Sequence, residues 1–387
     1  MFVVTTGTPT VCIAVHGPVV RDLGMNAGTN CLGPGNRANA CIGRALHLVL
    51  TNIGGAGTAG QVVTQGTNRT TGVTIDAAYV VVDLDHSPHS GALIKRLDKT
   101  AAFRRLPLED SPDAARQGIL QGRQTLALVQ AALGPHTLSH LLNTHLHSDH
   151  CGGNAHLQQC YPHAQTFIPP GHAPFVDQWN ATALTYTPTG QHCPPFVKKG
   201  VLHDGDRLPL HNATWRVHAA PGHDPHSVVL FNEEERILIS ADALWENGFG
   251  VVFPEIEGVS AFDEVEATLD IIEQLKPRLV LPGHGAVFSD VPEAIGRARS
   301  RLAQFRNAPD KHASYAAKVL IKFKLLEWQK IGTAELMTWA QACSYLQLLH
   351  TSYGDGMGYA VWMQSLLISL ERAQACELTK DGDIVNT

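Results

Sequence analysis

The stretch Asn143-Thr-His-Leu-His-Ser-Asp-His-Cys-Gly-Gly153 constrains this chain more than any other part of its sequence. Within six residues it carries four side chains that can bind metals, His145, His147, Asp149 and His150. An apolar pair precedes it and a glycine pair ends it, which is typical of a buried strand that runs into a tight loop. Because residues two apart in a strand point the same way, His145 and His147 can bind one cation together. Asp149 and His150 follow the turn and can face a second cation; such ligands favour zinc, with iron and manganese as alternatives.

This stretch resembles the first metal motif of the metallo-β-lactamase superfamily, and three further motifs follow in the order of that family. They are Pro221-Gly222-His223, Ser240-Ala-Asp242 and Leu281-Pro-Gly-His284-Gly, each placed after an apolar run. The resemblance covers roughly residues 79–300 and is specific because all the motifs occur together and in order. It implies an α+β fold, a four-layer αββα sandwich whose strand ends bring the ligands to one edge.

The resemblance also implies a set of seven metal ligands and two zinc ions per chain, with iron or manganese as other possible metals. Three histidines would hold the first ion, Asp149 and two histidines would hold the second, and Asp242 would bridge the two. The set is His145, His147, Asp149, His150, His223, Asp242 and His284. Asp149 would also be catalytic, because it would hold the hydrogen bond of a metal-bridging hydroxide.

The function implied by the resemblance is that of a metal-dependent hydrolase whose bridging hydroxide attacks a carbonyl or phosphoryl centre. Asp242 favours a thioester, lactone or phosphodiester substrate, since true β-lactamases of the superfamily carry Cys or Ser in place of the bridging acid. Two alternatives stay open. One is a mononuclear iron persulfide dioxygenase, which would use a subset of these ligands; the other is a non-catalytic binding relative, although such relatives usually lose ligands.

The composition of the chain indicates which partners and which location to expect. A formal net charge of −6 over 387 residues gives no reason to expect nucleic acid as a partner. Fourteen of the 21 histidines lie between His136 and His226, which favours a metal site. The eight cysteines form no Cys-x-x-Cys pair and indicate reduced thiols, so we predict a cytoplasmic protein. The sequence shows neither a signal-peptide pattern nor a membrane span, and the expected partner is a small-molecule substrate.

The chain is predicted to divide into three parts. Residues 1–78 are atypical of the family and should supply the first strands, with Val11–Val15, Leu46–Thr51 and Val73–Ile75 as candidates. Residues 79–300 should form the catalytic domain. In it, Asp83 ends an apolar run and is expected to have a structural role beneath the site, and residues 111–133 show helical spacing.

Residues 301–387 should form a helical, winged-helix-like domain. Apolar residues recur at helical spacing before and within it, and a short hairpin is expected at its end. The predicted elements are helices over Ile295–Phe305, Ala313–Gln329, Thr333–Leu349 and Tyr359–Ala373, and a hairpin over Cys376–Val385. From His312 to Thr387 there are six basic and seven acidic residues, and this balance favours a lid or a homodimer surface over DNA binding.

Several residues near the motifs have two possible roles. The Pro-rich and aromatic loop 169–200 either walls the substrate pocket or covers a sheet edge. Asp224 and His226 either orient a ligand imidazole or make a loop hydrogen bond, and the second is favoured. Trp245 and Phe249 either line the mouth of the site or belong to the core. Ser260 is expected to cap the helix that follows it. The histidines outside the motifs are expected on the surface or in loops, namely His156, His163, His172, His203, His211 and His218.

Overall fold

The first metal motif follows a strand, β7, that lies inside a seven-stranded sheet of order β4-β3-β2-β1-β7-β8-β9. The computed structural model describes residues 137–210 and 213–387, six short strands nearer the N-terminus, and Val129. Strand β7 pairs antiparallel with β1 and parallel with β8. The strands of this sheet are β1 (Phe2–Thr6), β2 (Val11–Ala14), β3 (His47–Leu50), β4 (Val62–Val63), β7 (Thr137–Leu142), β8 (Gln165–Ile168) and β9 (Gly200–Val201).

Strands β2 and β3 overlap the predicted strands Val11–Val15 and Leu46–Thr51. The register pairs Val3 of β1 with Leu141 of β7, so the N-terminal segment adds strands to the sheet that carries the first motif. A separate parallel pair is formed by β5 (Ala77–Tyr79) and β6 (Phe103–Arg105). The predicted strand Val73–Ile75 and Asp83 lie outside the described residues. So does the predicted helix 111–133, apart from Val129, which is helical and buried.

A second, five-stranded sheet of order β10-β11-β12-β13-β14 carries the later motifs. Its strands are β10 (Arg207–Leu210), β11 (Ala213–Ala219), β12 (Val228–Asn232), β13 (Ile237–Ala241) and β14 (Leu279–Pro282). Every residue of β12 and β13 is buried, including the polar Asn232 and Ser240. The pairing is antiparallel as far as β13, whereas β13 and β14 are parallel. Parallel strands end at the same edge, so the Asp242 and His284 motifs meet there.

The two sheets share one apolar core, in which Leu142 and Leu202 pack with Val217, Leu230 and Ile239 of the second sheet. Helices cover the other face of the second sheet, where residues such as Leu238 join a larger cluster. The described helices are α1 (Ser148–Cys151), α2 (Asn154–Cys160), α3 (Ala173–Gln178), α4 (Phe253–Ile256), α5 (Phe262–Leu275), α6 (Val291–Asn307), α7 (Pro309–Trp328), α8 (Thr333–Ala342), α9 (Ser344–Tyr353) and α10 (Tyr359–Arg372). The chain thus has the α+β class that was predicted, while the complete four-layer order stays a prediction.

The start of α5 differs from the prediction that Ser260 caps it. The N-cap position is Ala261, and no cap side chain bonds there. Instead the carboxylate of Glu255 accepts hydrogen bonds from the backbone N–H groups of Ala261 and Phe262, at 2.6 and 2.7 Å. An acid from the preceding helix therefore satisfies the free N–H groups that every helix start exposes.

The C-terminal part is helical and ends in the predicted hairpin. Strands β16 (Cys376–Leu378) and β17 (Asp383–Asn386) are antiparallel, and β15 (Lys330–Gly332) extends them to a three-stranded sheet of order β15-β17-β16. The single helix predicted over Thr333–Leu349 is wrong, because Cys343 is extended and separates α8 from α9. The carbonyl of Pro188 accepts the Tyr345 N–H at 3.1 Å and stabilises this break. None of the described helices is both long and apolar enough to cross a bilayer.

His312 of α7 ties the C-terminal helices to the segment beside the second sheet. Its Nε2 accepts a hydrogen bond from the Val252 N–H at 3.1 Å, and the residue is buried. Burial lowers the pKa of His312 to about 4, and the charge of Arg301 acts in the same direction. The folded protein is therefore stabilised by neutral His312 at pH values above 6.5, the pKa of histidine in the unfolded chain. This stabilisation is lost as the pH falls from 6.5 toward 4, because the unfolded chain takes up a proton more readily than the folded protein.

We therefore predict that the free energy of unfolding of the chelator-treated protein falls by up to roughly 3 kcal/mol between pH 6.5 and pH 4 through His312 alone. The glutamine of His312→Gln cannot take up a proton, so this variant should lose most of the pH-dependent fall in the free energy of unfolding that His312 causes. Denaturant unfolding at a series of pH values measures it. The exposed His163→Gln is the matched control and should keep the wild-type pH dependence. Identical pH profiles for His312→Gln and wild type would contradict the assignment.

Candidate metal centre

Three of the predicted ligands, His145, His147 and His223, come together at the edge where the two sheets end. One ligand atom from each lies within 4.8 Å of the other two. The Nδ1 of His147 is 2.9 Å from the Nε2 of His223. His145 and His147 come from the loop after β7, whereas His223 follows β11, so the two sheets both contribute.

A second group consists of Asp149, His150 and His284, whose ligand atoms also lie within 4.8 Å of one another. The Nε2 of His284 is 3.2 Å from Asp149 Oδ2, and the Nε2 of His150 is 3.4 Å from the same oxygen. Asp149 and His150 belong to the one-turn helix α1, and His284 follows β14. The structure therefore brings together the residues that the sequence motifs placed far apart.

Asp242 lies between the two groups. Its Oδ1 is 3.3 Å from His150 Nε2, and its Oδ2 is 3.4 Å from both His223 Nε2 and His284 Nε2. One carboxylate thus faces histidines of each group, which is the position that a bridging ligand needs. The assignment of these seven residues as metal ligands stays a prediction, which their placement supports.

The position of Asp242 depends on the backbone conformation of Ala241, which precedes it, and on the close approach of Gly283. Ala241 has a left-handed φ of 48°, which costs a non-glycine residue roughly 1 kcal/mol. Its carbonyl accepts the Gly283 N–H at 2.6 Å, and this bond joins the ends of β13 and β14. A Cβ added to Gly283 would lie 2.0 Å from Asp242 Oδ1. Only glycine allows the Asp242 carboxylate to lie against this turn.

His223 is held in one orientation by the backbone behind it. Its Nδ1 donates to the Val251 carbonyl at 2.5 Å, and a carbonyl can only accept. In the neutral ring, Nε2 therefore keeps its lone pair and directs it toward the other ligands. A Cβ added to Gly250 would lie 2.4 Å from His223 Nδ1, so the close approach of this segment also requires glycine.

The donor set fits a bound cation. The Nε2 of His145 is buried and has no hydrogen-bond partner among the described residues. A buried imidazole nitrogen without a partner costs free energy, and a metal ion removes that cost. Imidazole and carboxylate donors of this kind suit zinc, iron or manganese, and the geometry alone does not select one.

The pKa shifts of His145, His147 and Asp149 also suit cation binding, whereas the pKa of His284 is raised to about 10, chiefly by Asp242, against the effect of burial. Burial lowers the pKa of His147 to about 4, and the nearby His223 lowers it in the same direction. The pKa of His145 is likewise held well below its usual value, first by burial and then by His150. Burial would raise the pKa of Asp149, but His150 and His284 outweigh it and keep that pKa below its ordinary value. Neutral imidazoles and an ionised carboxylate are the states that ligate metals.

The residues beside His223 make the loop hydrogen bond that the sequence favoured. Asp224 Oδ1 accepts the His226 N–H at 2.7 Å, while its Oδ2 is 3.9 Å from His147 Nε2, which is too long for a hydrogen bond. His172 lies in the turn before α3, as predicted for a loop histidine, but it is buried edge-on to His226 with ring centroids 4.6 Å apart. The prediction is wrong for His156 and His218, which are half-buried in α2 and β11. Of the other histidines expected on the surface or in loops, His211 lies outside the described residues.

The aromatic loop 169–200 packs beneath the first motif. Tyr186 and Phe196 join a buried cluster with Leu146 and Cys151. The Tyr186 hydroxyl donates to the Leu146 carbonyl at 2.8 Å. These contacts favour a supporting role for the loop, in which it holds the segment that carries the histidines.

Two half-buried aromatic residues flank the cluster, and sequence reasoning missed one of them. Phe253 lies edge-on to His147, with ring centroids 5.4 Å apart, and contacts Tyr345 of α9 on its other side. Trp245 lies 5.1 Å from the His284 ring. Phe249, by contrast, is a core residue that is 1% exposed. The position of Phe253, soon after the Asp242 motif in an apolar run, was the available signal.

Comparisons with known proteins agree with this geometry. Residues 111–284 match the sequence model of the Metallo-beta-lactamase superfamily. The chain is 29% identical over 184 residues to an atrochrysone carboxyl ACP thioesterase of Aspergillus terreus, covering 48% of this chain and 45% of the relative. It is 28% identical over 174 residues to the atrochrysone carboxyl ACP thioesterase dmxR1 of Cryptosporiopsis sp., covering 44% of this chain and 43% of the relative. The matched part thus spans less than half the length of these curated relatives.

Solved structures give more distant likenesses. A metallo-beta-lactamase family protein of Thermus thermophilus shares 18% identity at a TM-score of 0.36, covering 64% of this chain and 80% of that protein. A beta-lactamase domain protein of Burkholderia ambifaria shares 21% identity at a TM-score of 0.39, covering 68% and 78%. The family match, the order of the motifs and their convergence at one edge lead to one conclusion: residues 111–284 of the chain belong to the metallo-β-lactamase superfamily.

We predict that Gly283→Ala lowers the zinc content of the protein and its activity, because the new Cβ would displace the Asp242 carboxylate. The loss of activity should reach about 100-fold, as for other changes that move a metal ligand. Elemental analysis of protein purified with added zinc measures the metal content. Gly296→Ala, on α6, is the control, because its Cβ would meet nothing within 4 Å. Wild-type zinc content in Gly283→Ala would contradict the prediction.

Proposed function

We propose that this chain is a metal-dependent hydrolase that cleaves acyl thioesters at a dinuclear zinc centre. The observation that carries the proposal is the convergence of three groups of potential ligands, each with its ligand atoms within 4.8 Å of one another. One of them contains Asp242 and shares His145 with the first group and His150 with the last. In this proposal His145, His147 and His223 hold one ion, Asp149, His150 and His284 hold the other, and Asp242 contacts both. Zinc fits this donor set, and iron or manganese are the alternatives.

Two bound cations would supply Lewis acidity, which polarises a substrate carbonyl and lowers the pKa of a water molecule at the site. The residues of the chain orient the ligand atoms and accept a hydrogen bond from the water. His223 is kept in one tautomer by Val251, so its Nε2 is ready to ligate without rearrangement. Asp149 is ionised and lies beside His150 and His284, so its carboxylate can accept a hydrogen bond from an attacking water.

The thioester class is supported by the relatives and by the surroundings of the cluster. Both relatives described above are thioesterases by name, and a third, 27% identical over 161 residues, is the thioesterase pkgB of Emericella nidulans. Phe253 and Trp245 place apolar surface beside the ligand histidines. Such surface can hold an apolar acyl group next to the reacting carbonyl. Lactones and phosphodiesters are the other substrates that the sequence favoured.

Further parts of the proposal concern the whole chain. We propose the complete αββα sandwich over residues 79–300, with strands from residues 1–78, and a winged-helix-like domain over 301–387 that forms a lid or a homodimer surface. The pairing of β1 with β7 and the three-stranded sheet of β15, β16 and β17 support this division. A cytoplasmic location is supported by the free thiols of Cys151, Cys160, Cys193, Cys343 and Cys376.

The activity test uses purified protein that has been stripped with a chelator and reloaded with zinc or iron(II). We expect zinc-dependent release of thiol from acyl thioesters, about two metal ions per chain and no oxygen uptake. A coloured thiol reagent and an oxygen electrode record the two outcomes, with a lactone, an aryl phosphodiester and glutathione persulfide as the other substrates. Asp242→Asn keeps the shape of the bridge but removes its charge, and should lose at least about 100-fold in rate.

Two results would contradict the proposal. Iron-dependent oxygen consumption with the persulfide, at one metal per chain, would indicate a dioxygenase. Full thioesterase activity in Asp242→Asn would show that catalysis occurs elsewhere.

A further inference from the structure

Trp245 contacts the candidate metal centre at two points, although it is not among the predicted ligands. Its indole Nε1–H donates to Asp242 Oδ1 at 3.3 Å. Its ring also lies edge-on to the imidazole of His284, with centroids 5.1 Å apart at an interplanar angle of 74°. One side chain therefore contacts both the carboxylate between the two ligand groups and a histidine of the second group.

The turn that carries Trp245 is fixed by helix α6. The Trp245 N–H donates to the Gly248 carbonyl at 2.6 Å, which closes the turn. Arg297 Nε donates to the Glu246 carbonyl at 2.7 Å, and Arg301 Nη1 donates to the Asn247 carbonyl at 3.2 Å. Gly248 has a φ of 131°, which favours glycine at this position. Because the turn is held at two successive carbonyls, the direction of the indole N–H is largely set before any ion binds.

The contact with Asp242 is compatible with metal ligation. Each carboxylate oxygen has two acceptor positions, so a cation on Oδ1 leaves one position for the indole N–H. Oδ1 is also the oxygen that lies 3.3 Å from His150 Nε2, whereas Oδ2 lies near His223 and His284. A hydrogen-bond donor of fixed direction on a ligating carboxylate selects one rotation of that carboxylate.

We propose that Trp245 is a positioning residue that holds Asp242 in the orientation needed to contact both ions. It does so through its N–H, while its ring limits the movement of His284. Loss of the N–H should therefore weaken the binding of the ion held by Asp149, His150 and His284 more than that of the other ion. This inference rests on the dinuclear centre of the proposed function, but not on the identity of the substrate.

The test compares Trp245→Phe with Trp339→Phe. The first keeps a ring beside His284 and removes only the donor to Asp242. The second is a matched control, because Trp339 is also half-buried and its indole N–H donates to a backbone carbonyl, that of Gly190, at 3.2 Å. Chelator-stripped proteins are titrated with zinc against a competing chelator, and with cobalt(II), whose visible absorption reports the ligand geometry.

We expect wild type and Trp339→Phe to bind two zinc ions with the same affinities. Trp245→Phe should bind one ion with wild-type affinity and the other about 10–100-fold less tightly, with an altered cobalt spectrum. Equal affinities and spectra in Trp245→Phe and wild type would overturn the proposal, as would a wild-type protein that binds fewer than two ions.

A second variant covers the case in which Trp245→Phe does not fold, as judged by near-ultraviolet circular dichroism. Arg297→Gln keeps the indole but removes one of the two side-chain contacts that hold its turn. This variant should lower the affinity for the same ion, by a smaller factor than Trp245→Phe. Unchanged affinity for both ions in Arg297→Gln would then overturn the proposal. A wild-type protein that binds two zinc ions but cleaves no thioester would contradict the proposed function and leave the role of Trp245 standing.

Discussion

The parallel pairing of β13 with β14 is the constraint on which the rest of the site depends. It places Ala241 opposite Pro282, so the Asp242 and His284 motifs emerge side by side although about 40 residues separate them. The hydrogen bond from Gly283 to the Ala241 carbonyl then fixes the turn, and the left-handed φ of Ala241 directs Asp242 toward the histidines. Strain of this kind persists only where the surrounding structure holds it, which here is the end of a fully buried strand.

The C-terminal helices take part in this arrangement. His312 of α7 accepts a hydrogen bond from the Val252 N–H, and the adjacent Val251 carbonyl accepts one from His223. A predicted ligand histidine is therefore two hydrogen bonds away from a helix outside the sheets. Helix α6 holds the turn of Trp245 in a similar way through Arg297 and Arg301. The orientation of the predicted ligands is therefore set by parts of the chain that contain no metal motif.

The sequence predicted the features that depend on a few neighbouring residues. Apolar runs located β13 and β14, and the ends of these runs located Asp242 and His284, which the structure brings together. It failed where distant residues decide the local structure. The break at Cys343 needs Pro188 from another loop, and the start of α5 is capped by Glu255 and not by Ser260.

The same reason explains what was missed at the site. The indole of Trp245 reaches Asp242 only because the turn is held from α6, and no local pattern shows that contact. His172 lies in a loop as predicted, but its contact is with His226, 54 positions further along the chain, so its own neighbours in sequence do not show that it is buried. The number and identity of bound ions also depend on distances and charges that a motif does not encode.

The most direct measurement of the central claim is an anomalous difference map from crystals grown with zinc, recorded at the zinc absorption edge. Two peaks are expected, one at ligand distance from His145, His147 and His223, and one at ligand distance from Asp149, His150 and His284. A zinc–nitrogen distance of about 2.1 Å is expected for the histidines, and Asp242 should contact both peaks. A single peak, or two peaks with the Asp242 carboxylate turned away from one of them, would contradict a dinuclear centre bridged by Asp242.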